Sequence, residues 1–286
     1  MDPAKVFLAF SLIIIMFGMG LSLKVDDFRR ILLQPRAIIL GLFNQIILLP
    51  LSAYFLLMIF KVEPVIAVGV ILLAACPGGP TSNLITHLSK GDTSLSVSLT
   101  AFSSVLTIFT IPIIVQYGLD TFGGESQEIV LNVPRIIGQL VVITILPVAI
   151  GMFIYSKREP FAIRMEKPVK IASGIVLSLV IIALIIKERE NVGSYFEQAG
   201  IITLALNVLT MFLGYGTAKL FKLNTTQSIS ISIESGIQNG TLAIAIAGTI
   251  LTTATNDGLA YAIAPSIYSL LMFITGFIVI GLRARK

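Results

Sequence analysis

The sequence predicts an all-α integral membrane protein with nine transmembrane helices, and three observations predict it. Hydrophobic residues fill 56% of the 286 positions and charged residues only 12%, with a mean hydropathy of +0.96. A soluble domain carries about 25% charged residues, and its core could not hide this much apolar side chain. The apolar residues also gather into nine runs, at 6–23, 37–60, 64–88, 94–118, 130–155, 168–187, 197–221, 226–254 and 257–282. Each is near the roughly 20 residues that a helix needs to cross a bilayer, and no strand-like alternation competes over comparable lengths. The third observation is that the connections alternate in charge.

Taken in order, the first run reads as a retained helix and not a signal peptide. It lacks a small-x-small cleavage site and is followed by Lys24, Asp26, Asp27, Arg29 and Arg30. With the N-terminus outside, the inside segments hold Lys24, Arg29, Arg30 and Arg36, then Lys90, then Lys157, Arg158, Arg164, Lys167 and Lys170. Lys219, Lys222, Arg283, Arg285 and Lys286 complete the inside set, which leaves Lys5, Lys61, Arg135, Lys187 and Arg189 outside. This is a positive-inside pattern. It predicts an N-out, C-in protein of the plasma (inner) membrane. The net charge of +5 lies in short loops, so lipid and not nucleic acid is the expected large partner. The short connections predict one domain over 1–286.

Two runs are interrupted. The third contains Cys76-Pro77-Gly78-Gly79-Pro80-Thr81-Ser82-Asn83. Proline removes a backbone donor and clashes with the preceding turn, and glycine weakens a helix, so this span should unwind near 77–80. The eighth contains Glu234-Ser235-Gly236-Ile237-Gln238-Asn239-Gly240. Unwound backbone at membrane depth is tolerated where it is buried in protein or lines a cavity. Interrupted helices at corresponding places in two halves point to a secondary-transporter site. The third and eighth spans run in opposite senses, as an inverted repeat requires.

Glu234 is the one acidic residue deep inside a span, and no Lys or Arg lies at mid-span to pair with it. A charge there costs at least ~2.5 kcal/mol, so it must be protonated, paired or cation-bound. Ser82, Asn83, Ser96, Thr100, Gln45 and Gln238 supply neutral oxygens around it in the same set of spans. One carboxylate with many neutral oxygens suits Na⁺ better than Ca²⁺. Glu234 as a proton carrier, or as part of a membrane enzyme with Asn239, are the competing readings. The enzyme reading lacks a nucleophile–base pair. No nucleotide-binding motif is present. The single histidine, His87, reads as structural, and Cys76 is the single cysteine.

These motifs resemble the bile acid/sodium symporter family. The resemblance rests on Cys76-Pro77-Gly78-Gly79, Thr81-Ser82-Asn83, Lys90-Gly91-Asp92, Leu95-Ser96-Val97, Glu234-Ser235-Gly236-Ile237-Gln238-Asn239 and Asp26-Asp27-Phe28. It implies an inverted-repeat transporter with core and panel domains, in which the third and eighth spans cross at their breaks. The core would be approximately 37–118 and 197–282, the panel approximately 6–23 and 130–187. The resemblance implies two Na⁺ sites. The first would be Ser82, Asn83, Ser96, Thr100 and Glu234; the second Gln45, Glu234 and Gln238 with backbone oxygens of Ser235 and Ile237. Nine helices is the arrangement of the vertebrate liver sodium/bile acid carriers of that family, so the resemblance implies a bile acid or bile-acid-like anion. A small carboxylate such as pantoate is the alternative. Pro80 and Met272-Phe273 depart from the residues that relatives place toward the cavity. Helix N-termini attract anions without a basic side chain, so the anion is expected near Pro80, Thr81, Asn239 and Gly240.

Overall fold

The computed structural model describes residues 3–29, 32–124, 130–187, 192–251 and 260–284. Helices in chain order are α1 (Pro3–Gly20), α2 (Val25–Arg29), α3 (Pro35–Ile59), α4 (Pro64–Ala75), α5 (Thr81–Leu88) and α6 (Thr93–Phe122). They continue as α7 (Val133–Lys157), α8 (Glu159–Lys187), α9 (Val192–Leu220), α10 (Thr225–Gly236), α11 (Gly240–Ile246) and α12 (Ala260–Ala284). Helix occupies each apolar run, and no strand of a sheet is present among the described residues. Five helices, α3, α6, α7, α9 and α12, are by themselves long and apolar enough to cross a membrane. The third and eighth runs fall short of that because each is split in two. The sixth run differs from expectation: α8 begins at Glu159 and carries Pro168 inside it. The run ends at 252–254 and 257–259, and Arg30, Arg189, Arg285 and Lys286, lie outside the described residues.

Local chemistry sets the helix limits. Pro35 and Pro64 open α3 and α4, at positions where the missing N–H is not needed. Asp92 accepts from Leu95 N at 3.0 Å and caps α6; Asn132 caps α7 through Arg135 N at 3.1 Å. Asn224 and Gln227 form a reciprocal capping box on α10. Three helices widen by one π-type turn, at Asn44–Leu48 in α3, Val141–Ile145 in α7, and Ala247–Leu251 after α11. In α3 and α7 the wide turn runs up to a proline, Pro50 or Pro147, whose missing N–H leaves a carbonyl to be accommodated.

The two breaks meet. Cys76 is extended (φ −75°, ψ 159°), the conformation favoured before a proline. Ile237 also leaves the helical region (φ −102°, ψ 93°). The freed segments pair as a single antiparallel bridge between Gly78 and Gln238. Gly79 N donates to Ile237 O at 2.8 Å and Asn239 N donates to Pro77 O at 2.9 Å. The approach requires glycine. A Cβ on Gly78 would collide with the Glu234 carboxylate, and one on Gly79 would stand 2.7 Å from the Gln238 carbonyl oxygen.

Packing divides the helices. α1 lies against α7 and α8, which also touch each other; α9 packs on α10 and α12, and α4 on α6, α3 and α12. Lys24, Tyr155 and Glu159 clasp the end of α1 to α7 and α8. The Tyr155 hydroxyl donates to Glu159 at 2.6 Å and the Lys24 ammonium lies 3.6 Å from the same oxygen. These contacts, Tyr155 first, hold the Glu159 carboxyl below its ordinary value. Outward-facing side chains are apolar at helical spacing, as with Ile39, Phe43, Ile47, Leu51 and Phe55 on α3. Buried positions include Asn44, Gln45, Ser82, Ser96, Asn207 and Glu234. An apolar exterior, with amides, hydroxyls and a carboxylate held within the apolar core, fits a chain whose solvent is lipid.

Gly151 is a close approach between α7 and α1: a Cβ there would lie 2.5 Å from Phe17 O and 2.8 Å from Leu21 N. Gly138, on the same helix, has nothing within 4 Å. Gly151→Ala is expected to destabilise by about 1–3 kcal/mol. Gly138→Ala is expected to be neutral or stabilising by up to about 1 kcal/mol. Thermal unfolding in detergent checks this, and equal shifts of Tm in the two variants would contradict it.

Candidate functional site

The break in α10–α11 leaves Glu234 in the last turn of α10, facing α5 and α6. Its side chain is 2% exposed. Oε2 accepts from Ser82 Oγ at 2.7 Å and from Ser96 Oγ at 2.9 Å; Oε1 accepts from Thr100 Oγ1 at 2.5 Å. Thr100 Oγ1 also lies 3.5 Å from Asn83 Oδ1 and 3.1 Å from the Ser96 carbonyl. The five residues Ser82, Asn83, Ser96, Thr100 and Glu234 therefore converge from three helices. Ser96 and Thr100 reach the same carboxylate because they are one turn apart. Among the described residues no Lys or Arg pairs with Glu234. Hydrogen bonds to a charged group contribute about 1.5–3 kcal/mol each, and three of them offset part of a desolvation cost of several kcal/mol. They add no positive charge. The cluster is a set of oxygens around one anionic group, which is the donor chemistry of a hard cation site.

A second set lies behind the bridge. The Gln45 amide donates to Gln238 Oε1 at 2.6 Å and to the Cys76 carbonyl at 2.9 Å. The Gln238 amide donates to the Ser235 carbonyl at 2.9 Å and to the Glu234 carbonyl at 3.3 Å. Gln45 and Gln238 are thus brought together with backbone oxygens of α4 and α10. The Ser235 hydroxyl turns back to Ile231 O at 2.8 Å, and the Ile237 carbonyl is engaged in the bridge to Gly79.

Two site residues went unread in the sequence. Asn207 of α9 donates to the Gly236 carbonyl at 2.6 Å, and the fully buried Tyr268 of α12 donates to the same oxygen at 2.7 Å. They hold the carbonyl that the break exposes at the end of α10. Asn207 is a lone amide inside an apolar run, the same signal that singled out Gln45. Asn207 Oδ1 is buried without a hydrogen-bond partner among the described residues.

Of the other expected residues, Pro80 and Thr81 are half-buried at the start of α5, which has no side-chain cap. Asn239 Oδ1 accepts from Leu242 N at 3.0 Å and from Thr241 Oγ1 at 2.7 Å, so its oxygen caps its own helix α11. Gly240 is buried against Ser269 and the Pro265 carbonyl of α12. Between α1, α2, α6 and α7 lies a largely apolar cavity of about 150 Å³, lined by Met19, Phe28, Ala101, Val105, Thr144 and Met152 among others.

Comparison with known proteins identifies the family of the chain. The family model described as "Sodium Bile acid symporter family" matches residues 9–195. The sodium-dependent transporter YocS of Bacillus subtilis (strain 168) is 30% identical over 239 residues, covering 82% of this chain and 71% of its own. The human sodium-dependent organic anion transporter is 28% identical over 273 residues, covering 94% of this chain and 70% of its own. The ileal sodium/bile acid cotransporter of Oryctolagus cuniculus is 28% identical over 279 residues, covering 95% and 77%. With two broken helices meeting over a buried carboxylate, and with the family match spanning well over half of its length, this chain belongs to the sodium bile acid symporter family, a family of sodium-dependent transporters and not of enzymes.

Proposed function

We propose that this chain carries an organic anion, a bile acid or bile-acid-like molecule, across the plasma membrane together with two sodium ions. One observation carries the reading: a buried carboxylate, Glu234, surrounded by oxygens of α5 and α6 with no basic partner among the described residues. One Na⁺ would sit among Ser82, Asn83, Ser96, Thr100 and Glu234. The other would sit among Gln45, Glu234 and Gln238 with the Ser235 and Ile237 carbonyls, after the Gln amides turn their oxygens toward it. Both sites would draw part of their ligands from the helices that carry the bridge. Sodium would therefore stabilise the crossed geometry and, through it, the anion site on the other side. The substrate's acidic group would lie at the crossover near Pro80, Thr81, Asn239 and Gly240. The uncapped start of α5 is the better donor end, because Asn239 already fills that of α11.

The nine apolar runs would each cross the membrane, N-out and C-in. α1, α7 and α8 would be the panel and the remaining long helices the core, and their relative motion would give alternating access. The packing of α1 on α7 and α8 supports this division. The substrate's apolar body would extend into the cavity beside Met19, Ala101 and Thr144. A small carboxylate such as pantoate is the second reading, and the size of that cavity favours it. About 150 Å³ is below the roughly 300–1,000 Å³ that larger ligands occupy. A steroid would need the panel to move away from α6. A thermal-shift screen of bile acids and small carboxylates, with and without Na⁺, decides between the two.

Three outcomes are expected. Glu234→Gln and Gln238→Ala should abolish sodium-induced stabilisation and lower sodium-driven uptake in proteoliposomes about 100-fold or more, because Glu234 serves both sites. A sodium-induced Tm shift retained in purified Glu234→Gln would sink the cation assignment. Asn239→Ser keeps an acceptor for Leu242 N but loses the amide. It should weaken substrate binding about tenfold with little change in sodium affinity, whereas Asn239→Ala should also lose about 1 kcal/mol of stability with the cap. Unchanged substrate affinity in both would move the anion elsewhere. Cysteines introduced by Asp2→Cys and Lys286→Cys should label from outside and inside respectively, and reversed labelling would overturn the orientation. Cys76 is fully buried and leaves the background clean.

A further inference from the structure

Hydroxyl groups in membrane helices commonly donate back to their own helix, and most of those on α6 do. Ser98, Ser103, Ser104 and Thr107 donate to carbonyls three or four residues earlier. One face of α5 behaves differently. Ser82 and Thr86 of α5 and its C-cap residue Ser89 stand at i, i+4 and i+7, and all three are 0% exposed. Ser82 Oγ points to Glu234 at 2.7 Å. Thr86 Oγ1 lies 3.4 Å from Ser96 Oγ, which itself holds Glu234 at 2.9 Å. Ser89 Oγ, at the far end, is buried with no hydrogen-bond partner among the described residues. The opposite wall comes from α10 and the turn before α6. A Cβ on Gly91 would stand 2.8 Å from Thr86 Cγ2 and 3.0 Å from Ser230 Oγ. Past Ser89 the chain reaches the half-buried Asp92 carboxylate, which accepts from Gln34 and from Leu95 N.

A buried, unsatisfied hydroxyl costs about 1–3 kcal/mol, and a fold that only needed to fill this space would place Ala there. A row of hydroxyl oxygens beginning at a cation site and ending near a carboxylate is the lining a dehydrated monovalent cation needs in order to move. It offers successive neutral oxygens, each too weak a ligand to trap the ion. We infer that the α5 face Ser82–Thr86–Ser89, opposed by Ser96 and Ser230, is the route by which the cation leaves the Glu234 site toward the Asp92 end of the helix, with Ser89 as the last buried oxygen on it. The route rests on the reading of Glu234 as a sodium site. In the orientation proposed above, this end faces the cytoplasm.

The test separates equilibrium from rate. Thr86→Val, Ser89→Ala and Ser89→Leu would be measured for sodium-induced thermal shift in detergent and for ²²Na⁺ exchange in proteoliposomes. Thr86→Val and Ser89→Ala should keep the half-maximal sodium concentration of the thermal shift within about twofold. Their exchange should slow about tenfold, the rate effect of one lost polar contact, and Ser89→Leu should slow it further. Thr107→Val, which loses only a back-bonded hydroxyl, should exchange at the wild-type rate. Wild-type exchange in all three route variants overturns the inference. So does slowing that only follows a loss of sodium-induced stabilisation, or equal slowing in Thr107→Val. If Ser89→Leu does not fold, the two conservative variants decide alone. Absence of any sodium-induced shift in the wild type is instead the failure of the cation site itself, and the route falls with it.

Discussion

A helix that stops inside a membrane protein releases backbone N–H and C=O groups that lipid cannot satisfy, each at a cost of several kcal/mol. Here two such helices stop at the same place and satisfy one another. Gly79 N on Ile237 O and Asn239 N on Pro77 O close a two-bond antiparallel bridge. Two more freed carbonyls are taken up by side chains from outside the pair. Asn207 and Tyr268 take the Gly236 carbonyl and Gln45 takes that of Cys76. Everything at the site follows from that pairing. It brings α5, α6 and α10 close enough for three hydroxyls to reach one carboxylate, and it fixes glycine at 78 and 79 because no Cβ fits beneath Glu234 or against the Gln238 backbone.

The polarity of the whole molecule is arranged around this. The outer faces of the long helices carry apolar side chains, while amides, hydroxyls and the one deep carboxylate are turned inward. In water such a distribution would not fold, since the hydrophobic effect would favour the reverse. In lipid it leaves association to close packing and interhelical hydrogen bonds. Gly20 and Gly151 supply the first, letting α1 and α7 approach backbone to backbone. Asn44 with Thr217 of α9, at 2.8 Å, supplies the second.

Much of the site was readable because the rules that place it are local or sharply chemical. Pro77, Gly78, Gly79 and Pro80 announce a break wherever they occur in an apolar run. Glu234 without a basic neighbour asks for oxygens, and Ser96 and Thr100 offer them at helical spacing. The partner of the break was not readable, since no residue-level signal tells that Gly79 will bond to Ile237. Nor was the direction of an amide: Asn239 presents its oxygen to Leu242 N in its own helix, a capping choice that depends on where α11 restarts. The π-type turns of α3 and α7 were not readable because a proline in a helix predicts a kink without saying how it is absorbed. Asn207 could have been found. Its own run is uninterrupted, and the carbonyl that needs it belongs to α10.

The bridge also has a consequence for synthesis. Ser82 precedes Glu234 by 152 residues. A chain made from its N-terminus at about 5–20 residues per second delivers α4 and α5 to the membrane several seconds before α10 exists. Through that interval Gly79 N–H and the Pro77 carbonyl have no native acceptor or donor, and the α4–α5 pair is a membrane segment with an open seam. The nascent third span is therefore the piece most in need of shelter, whether from water kept at the insertion machinery or from a chaperone that tolerates a helix broken in the middle.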